Sequence, residues 1–221
     1  MFRIFVQARM SSRRFPGKVL APLCGKPVIH HLLDRISTTM PSAAIVVATS
    51  KASSDDPLAA YIKSIGIAVF RGDLDNVVHR FQQCLIHFPC QWFFRICADS
   101  PLLDADLLGA VAKSCVDGVD LVTNVQQRTF PAGQSVECLA AERFAAIDTK
   151  NLDMEEREHL TQHYYRNPEK FRIVNLSAAT KGLATQSFVV DTIEDLRRME
   201  TILAAGETPK FSAHIRQVHA A

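Results

Sequence analysis

The chain has 221 residues, enough for one large domain, and 48% of them are hydrophobic, enough to fill a sizeable core. A net charge of +2 supplies no bulk attraction for nucleic acid. No apolar run approaches the roughly 18 residues of a membrane span, so the expected partners are small molecules, with neither nucleic acid nor membrane. Six cysteines, Cys24, Cys84, Cys90, Cys97, Cys115 and Cys138, form no CxxC pair and are expected as reduced thiols. Arg3 interrupts any signal-peptide pattern at the N-terminus. A soluble cytoplasmic protein is expected.

In chain order, an apolar β-branched run at residues 2–8 predicts a buried first strand. The loop after it, residues 9–18, holds three arginines, one lysine, two serines and one glycine. Residues 27–37 have helical spacing, with Val28, Ile29, Leu32, Leu33 and Ile36 on one face and Pro27 near the start. Further strands are predicted at 44–49, 67–70, 92–97 and 120–124, with helices between them at 55–64, 75–87 and 104–115. This alternation predicts an α/β protein with a parallel sheet and right-handed crossovers. Residues 128–136, with Pro131 and Gly133, read as a loop, and 155–167 as a helix. Strands follow at 171–176 and 188–190, then a helix from 192 to 205 stopped by Gly206 and a poorly ordered tail after Glu207.

In open parallel sheets, ligands sit outside the carboxyl ends of the strands. The cationic loop lies there and suits a polyphosphate, with serine and backbone donors and balancing charge. It is not a Walker A loop, because no glycine stands five residues before Gly17-Lys18. Asp99 follows the apolar strand at 92–97 and points into the same crevice. Beside a phosphate it calls for an intervening cation, so it reads as a Mg²⁺ ligand or, alternatively, as a turn residue before Pro101. Asp191 repeats the arrangement after Phe188-Val189-Val190, as a second carboxylate for that metal or as part of a helix cap, with Thr192 and Asp195 forming a capping box. Arg71-Gly72-Asp73, followed by Asn76 and Arg80, reads either as a nucleoside contact or as an ordinary turn. His159 and His163 have i, i+4 spacing, but HExxH and a third ligand are lacking, which disfavours zinc. Neither GxSxG nor GxGxxG appears, which disfavours a nucleophile elbow and a dinucleotide-dependent oxidoreductase.

Together these segments resemble the cytidylyltransferase family, which includes the CMP-KDO and CMP-sialate synthetases, and within it the branch typified by the spore coat protein SpsF. The family opening QARMSSxRLPGKVL is matched at residues 7–20, followed by Gly25-Lys26-Pro27. VVATS stands at residues 46–50, VFRG at 69–72, a variant of RITGDCPLID at 95–104, an EREH run ending in Arg157, Glu158 and His159, and a variant of VDTxEDL at 190–196. The chain departs from the family at PDGLDVEV, which here reads Pro131-Ala132-Gly133-Gln134-Ser135-Val136-Glu137-Cys138, with two acidic positions lost.

The resemblance implies a Rossmann-like αβα sandwich of the nucleotide-diphospho-sugar transferase type with a mostly parallel central sheet. It implies a single domain, with a nucleotide-binding half at about 1–124 and an acceptor-binding half at about 125–221. It implies CTP-dependent transfer of CMP to a sugar acid, sugar phosphate or polyol phosphate, with Mg²⁺ and release of pyrophosphate, in surface polysaccharide or glycoconjugate precursor synthesis. Ala8, Arg9, Ser11, Ser12, Arg13, Lys18, Arg71 and Asp73 are then the nucleotide-binding candidates. Lys18, Arg9 and Asp99 are the catalytic candidates, Asp99 and Asp191 the metal ligands. Glu137, Arg157 and His159 are the acceptor contacts, and the resemblance admits a homodimer. Three other readings stay open. One is a glycosyltransferase of the same fold, for which Asp104-Ala105-Asp106 has the letters of a DxD motif. Another is a uridylyl- or guanylyltransferase, which would share the loop and differ at the base pocket. The third is a catalytically inactive nucleotide-binding protein.

Overall fold

A computed structural model describes residues 1–41, 44–207 and 209–219. Strand β1, Phe2–Gln7, runs through the middle of the sheet. Its alternation sends Ile4 and Val6 to one face and Phe5 to the other, and all three are fully buried. A two-stranded hairpin, β2 (Pro22–Leu23) and β3 (Lys26–Pro27), leads into helix α1, Val28–Ser37. Then follow β4 (Ile45–Ser50), α2 (Asp56–Ser64), β5 (Ala68–Gly72), α3 (Val77–His87), β6 (Trp92–Cys97) and α4 (Asp106–Ala112).

The second half contains β7 (Leu121–Thr123), β8 (Glu137–Ala140), α5 (Ala141–Ala145), α6 (Met154–Glu158) and α7 (Gln162–Arg166). It ends with β9 (Ile173–Ala178), α8 (Ile193–Ala204) and β10 (Ile215–His219). Eight strands form one sheet in the order β10-β9-β7-β8-β6-β1-β4-β5. The pairs β6–β1, β1–β4, β4–β5 and β7–β9 are parallel, whereas β8 is antiparallel to both its neighbours and β10 to β9. The fold is therefore a Rossmann-like αβα sandwich around a mostly parallel sheet.

Two buried clusters make the layers. Ile29, Leu32 and Ile36 of α1, Leu58 and Ile62 of α2, and Leu107 and Val111 of α4 cover one face. Val77, Phe81 and Leu85 of α3, Phe144 of α5 and Tyr164 of α7 cover the other. Each apolar stripe of this kind stabilises by roughly 1.5–3 kcal/mol per fully buried large side chain. A third, smaller cluster joins Leu196 and Met199 of α8 to Leu23, Val28, Leu102 and Val190. It anchors the segment that carries Asp191. The capping box is present: the Thr192 hydroxyl accepts from the Asp195 backbone N–H at 3.2 Å, and Asp195 accepts from the Thr192 N–H at 2.9 Å.

Three expectations need correction, and one strand was not expected. The helix expected at 155–167 is two short helices, because the backbone of His159 is extended (φ −106°, ψ 94°) and Leu160 drops into the core. Residues 137–140, directly after the expected loop and assigned no element from the sequence, form a strand whose Glu137 stands opposite Arg95. Residues 188–190 are not a strand. They run beside residue 132 through a single bridge, with the Phe188 N–H donating to the Ala132 carbonyl at 2.8 Å. Part of the tail is ordered as β10, paired with β9; residues 208, 220 and 221 of that tail lie outside the described residues.

Candidate active site

The loop between β1 and Lys18 is fastened at both ends. The Gly17 N–H donates to the Met10 carbonyl at 2.8 Å, and Gly17 takes the left-handed φ of +76° that this closure requires. The Met10 N–H donates to Asp55 Oδ1 at 2.7 Å. Asp55 is fully buried, and its other oxygen accepts from the Thr49 hydroxyl (2.9 Å) and from the hydroxyl and N–H of Ser50 (2.5 and 3.0 Å). Burial works against its charge, but the donors from Met10, Ser50 and Thr49 outweigh it and hold the carboxyl below its ordinary pKa.

The loop borders a cavity of about 450 Å³ at the carboxyl ends of β1 and β6, lined by Ala8, Arg9, Ser12, Arg13, Arg14, Lys18, Arg95, Cys97, Asp99, Glu158, His159 and Asp191 among others. At its centre Lys18 Nζ donates to Asp99 Oδ2 and to Asp191 Oδ1, both at 2.7 Å. Burial opposes the lysine's charge, yet the two carboxylates, Asp99 foremost, raise its pKa above the ordinary value. Arg14 pairs with the other oxygen of Asp191 at 2.6 Å, and Arg9 with Glu158 at 2.8 Å. The Arg9 bond holds the Glu158 carboxyl below its usual range.

The donor set suits Mg²⁺. Two hard carboxylate oxygens converge on one point, and Mg²⁺ commonly takes one or two carboxylates and completes its shell with water and substrate phosphates. Among the described residues no group of three or more His, Cys, Asp or Glu is arranged to hold a metal ion, so an ion here would draw further ligands from the substrate. The site of Asp99 and Asp191 at present carries the Lys18 ammonium, a cation in the place a metal would take.

Two further hollows adjoin. One of about 400 Å³ is lined by Arg95, Gln126, Glu137, His159, Thr161, Gln162 and Tyr165, among others. Another, of about 530 Å³, lies beyond the Arg9–Glu158 pair and is lined by Ser11, Arg13, Asp73, Asn76 and Arg157, among others. A larger hollow of about 920 Å³ opens near Met1, Gln91 and Asp117 and contains none of the candidate residues. It lies at the amino-terminal ends of the strands, away from the crevice where α/β sheets bind ligands.

The candidate residues are thus placed unequally. Ala8, Arg9, Ser12, Arg13, Lys18, Asp99 and Asp191 come together in one cavity, while Ser11 and Asp73 lie in the adjoining hollow. Arg71 does not join them: it donates to the carbonyls of Ser50 and Ala52 at 2.8 Å each and pairs with Asp56 at 2.6 Å. Its guanidinium is spent on tying β5 to the turn after β4. Arg80 is fully buried, with Nη1 on the Asp73 carbonyl at 2.8 Å.

Glu137 reaches the 400 Å³ hollow but is 1% exposed, and its two oxygens accept from Arg95 (2.9 Å) and from the Tyr165 hydroxyl (2.5 Å). That geometry fits a support for Arg95 better than an acceptor contact. Arg157 faces the hollow with Ser11 and Asp73, away from Glu137, whereas His159 borders the main cavity and the 400 Å³ hollow. His163 is turned to Glu156 at 2.9 Å. Asp104, the first letter of the DxD string, is buried and accepts from the N–H groups of Phe211 (2.6 Å) and Ser212 (2.8 Å), so it serves the fold. Arg14, Arg95, Tyr165 and Asp55 were missed. For Arg95 a signal existed: one cation inside an otherwise apolar strand.

A cationic loop after the first parallel strand, closed on one carboxylate just past β6 and another just before α8, is the arrangement of a nucleotidyltransferase. The model of the family described as Cytidylyltransferase matches residues 4–213, and the chain belongs to that family. Spore coat polysaccharide biosynthesis protein SpsF of Bacillus subtilis is 30% identical over 215 residues, covering 94% of this chain and 89% of that protein. A cytidylyltransferase structure from Leptospira borgpetersenii superposes with a TM-score of 0.87 at 26% identity, over 92% of this chain and 87% of that one. The structure of CMP:2-keto-3-deoxy-manno-octonic acid synthetase complexed with CTP has a TM-score of 0.72 at 16% identity, over 93% and 99% of the two chains, a likeness of fold. Among the described residues no helix is long and apolar enough to cross a membrane.

Proposed function

We propose that the protein transfers CMP from CTP to a sugar acid or a related sugar or polyol phosphate and releases pyrophosphate. The observation that carries this reading is Lys18, buried between two carboxylates at the end of a loop with three arginines. A triphosphate offers this ammonium charge-assisted hydrogen bonds to phosphate oxygens in exchange for those to the two carboxylates. On this reading Arg9, Arg13, Arg14 and Lys18 bind the phosphates, while Ser11, Ser12 and the Ala8 backbone orient them. Asp73 faces the nucleoside.

Asp99 and Asp191 would hold Mg²⁺, which when bound neutralises charge on phosphate oxygens. The acceptor enters the hollow beside His159, within the half formed by residues 125–221, while residues 1–124 hold the donor. The acceptor oxygen, a phosphate oxygen or a hydroxyl that gives up its proton to solvent, forms a bond to the α-phosphorus as the bond to the bridging oxygen breaks and pyrophosphate leaves. The chain's own contribution is positioning and fixed charge. A role in surface polysaccharide or glycoconjugate precursors is supported by the likeness to SpsF. The six free cysteines suit a reducing cytoplasm.

The test is pyrophosphate release with CTP, UTP, ATP and GTP in Mg²⁺, across 3-deoxy-manno-octulosonate, N-acetylneuraminate, sugar phosphates and polyol phosphates. Release with CTP and one acceptor is expected. Release of a nucleoside diphosphate when the corresponding nucleotide-sugars replace the triphosphates would mark a glycosyltransferase, and binding without turnover a nucleotide-binding protein; either result overturns the proposal.

A further inference from the structure

Strand β6 reads Trp-Phe-Phe-Arg-Ile-Cys, and Arg95 is its one charged residue. Its side chain is 18% exposed and held by two residues. Nε and Nη2 donate to Gln7 Oε1 at 3.0 and 2.9 Å, and Nη1 donates to Glu137 Oε2 at 2.9 Å. The Tyr165 hydroxyl donates to the other Glu137 oxygen and lies 2.9 Å from the Thr123 hydroxyl. The ends of β1, β6, β7 and β8 are thereby linked through side chains, and the guanidinium is held in place before any ligand arrives. These bonds use three of the five N–H groups of an arginine. Among the described residues the remaining two are left for a ligand.

The position of this group is informative. The 450 Å³ cavity of Lys18 and Asp99 and the 400 Å³ hollow of Gln126 and Gln162 have two lining residues in common, Arg95 and His159. His159 is exposed and follows the last residue of a short helix; Arg95 is fixed. A group that leaves one bound molecule and joins another must sit where their two spaces meet. Burial opposes the charge of Arg95, but Cys97 and Glu137 more than offset it and hold its pKa above the ordinary value.

We propose that Arg95 is a catalytic residue whose two remaining N–H groups bind the phosphoryl group being transferred, with Gln7, Glu137 and Tyr165 as positioning residues that aim the guanidinium. The inference rests on reading the two spaces as donor and acceptor sites. It divides the cations of the site by task. Lys18 and the loop arginines hold the phosphates that are expelled, and Arg95 holds the one that is passed on. A planar fork suits two oxygens of one phosphate better than the point charge of a lysine.

The experiment titrates wild type, Arg95→Met, Arg95→Lys and Glu137→Gln with CTP and CMP by calorimetry in Mg²⁺. Cytidine is followed by saturation-transfer NMR, which reads millimolar binding. Arg95→Met is expected to weaken CMP and CTP by roughly 10- to 100-fold, the scale of a lost charged hydrogen bond, and to leave cytidine unchanged. Arg95→Lys should recover part of the loss, and Glu137→Gln should fall between it and wild type. If Arg95→Met does not fold, Tyr165→Phe, which keeps the guanidinium, should weaken CMP and spare cytidine. Equal CMP affinity in wild type and the variant, or parallel loss of CMP and cytidine, would overturn the proposal for Arg95 alone. A wild-type protein that binds none of the three would overturn the donor-site reading with it.

Discussion

An ammonium clasped by two carboxylates is a poor resting place for all three groups once a triphosphate is available. Lys18 keeps its charge through neutral pH, because its pKa is raised above the ordinary lysine value of 10.5. The sign follows from linkage. The stabilisation it provides is fully present below pH 10.5 and is lost only as pH rises through the higher folded value. Lys18→Met is expected to lower the rate of pyrophosphate release by ~10²–10³, the scale of losing a charge-stabilising donor. Steady-state assays with CTP check it, and a loss under threefold would remove Lys18 from the mechanism. Asp99 was legible in the sequence because it stands just past a predicted strand, the place where a parallel sheet presents its ligands. Lys18 was legible as the last cation of the loop that follows the first strand, and Asp191 from an apolar run that proved not to be a strand. Arg71 also ends its strand, yet its side chain turns back to the carbonyls of Ser50 and Ala52. Spacing gives the end of a strand and leaves the direction of a long side chain open.

The elements around the site act as fasteners, and two of them can be tested. Asp55, just before α2, holds the first turn of the phosphate loop through the Met10 N–H. Asp55→Ala strands that N–H along with the donors of Thr49 and Ser50, at an expected cost of about 2–4 kcal/mol. Denaturant unfolding would read this cost, and CTP affinity should fall with it. Since the Asp55 pKa is lowered, its contribution is complete above the ordinary value of 3.8 and fades as pH falls through the lower folded value.

Gly133 has a φ of +87°, and a Cβ there would lie 2.6 Å from the carbonyl carbon of Phe188. Gly133→Ala should therefore push the 188–190 segment away and displace Asp191, lowering both melting temperature and Mg²⁺-dependent CTP binding. Unchanged binding would show that Asp191 is placed by the α8 cap alone. The loop at 128–136 could be read from its Pro and Gly. Its closeness to residues 186–188 could not, because the contact spans more than fifty positions. The break between α6 and α7 was hidden for another reason: no Gly or Pro interrupts 155–167, and only the extended backbone of His159 and the burial of Leu160 against the second face separate the two helices.

At the scale of the molecule, alternating strands and helices announced the parallel half, and all five strands expected there are present within about two residues. The antiparallel strands were harder. β8 is only four residues long and emerges from a Pro/Gly loop, and β10 lies in a mildly basic tail. Yet β8 brings Glu137 to Arg95 and so joins the two halves of the site across one sheet. On the proposed function, the cluster of Lys18, Asp99 and Asp191 at the carboxyl ends of β1 and β6 is where a nucleotide's phosphates and a metal exchange for an internal ion pair. The most direct measurement is a crystal structure grown with CTP and Mg²⁺. The expected density shows the metal bound by Asp99 and Asp191, with Lys18 moved from both carboxylates to a phosphate oxygen. Lys18 still clasped between the two aspartates, with CTP and metal bound elsewhere, would contradict the account.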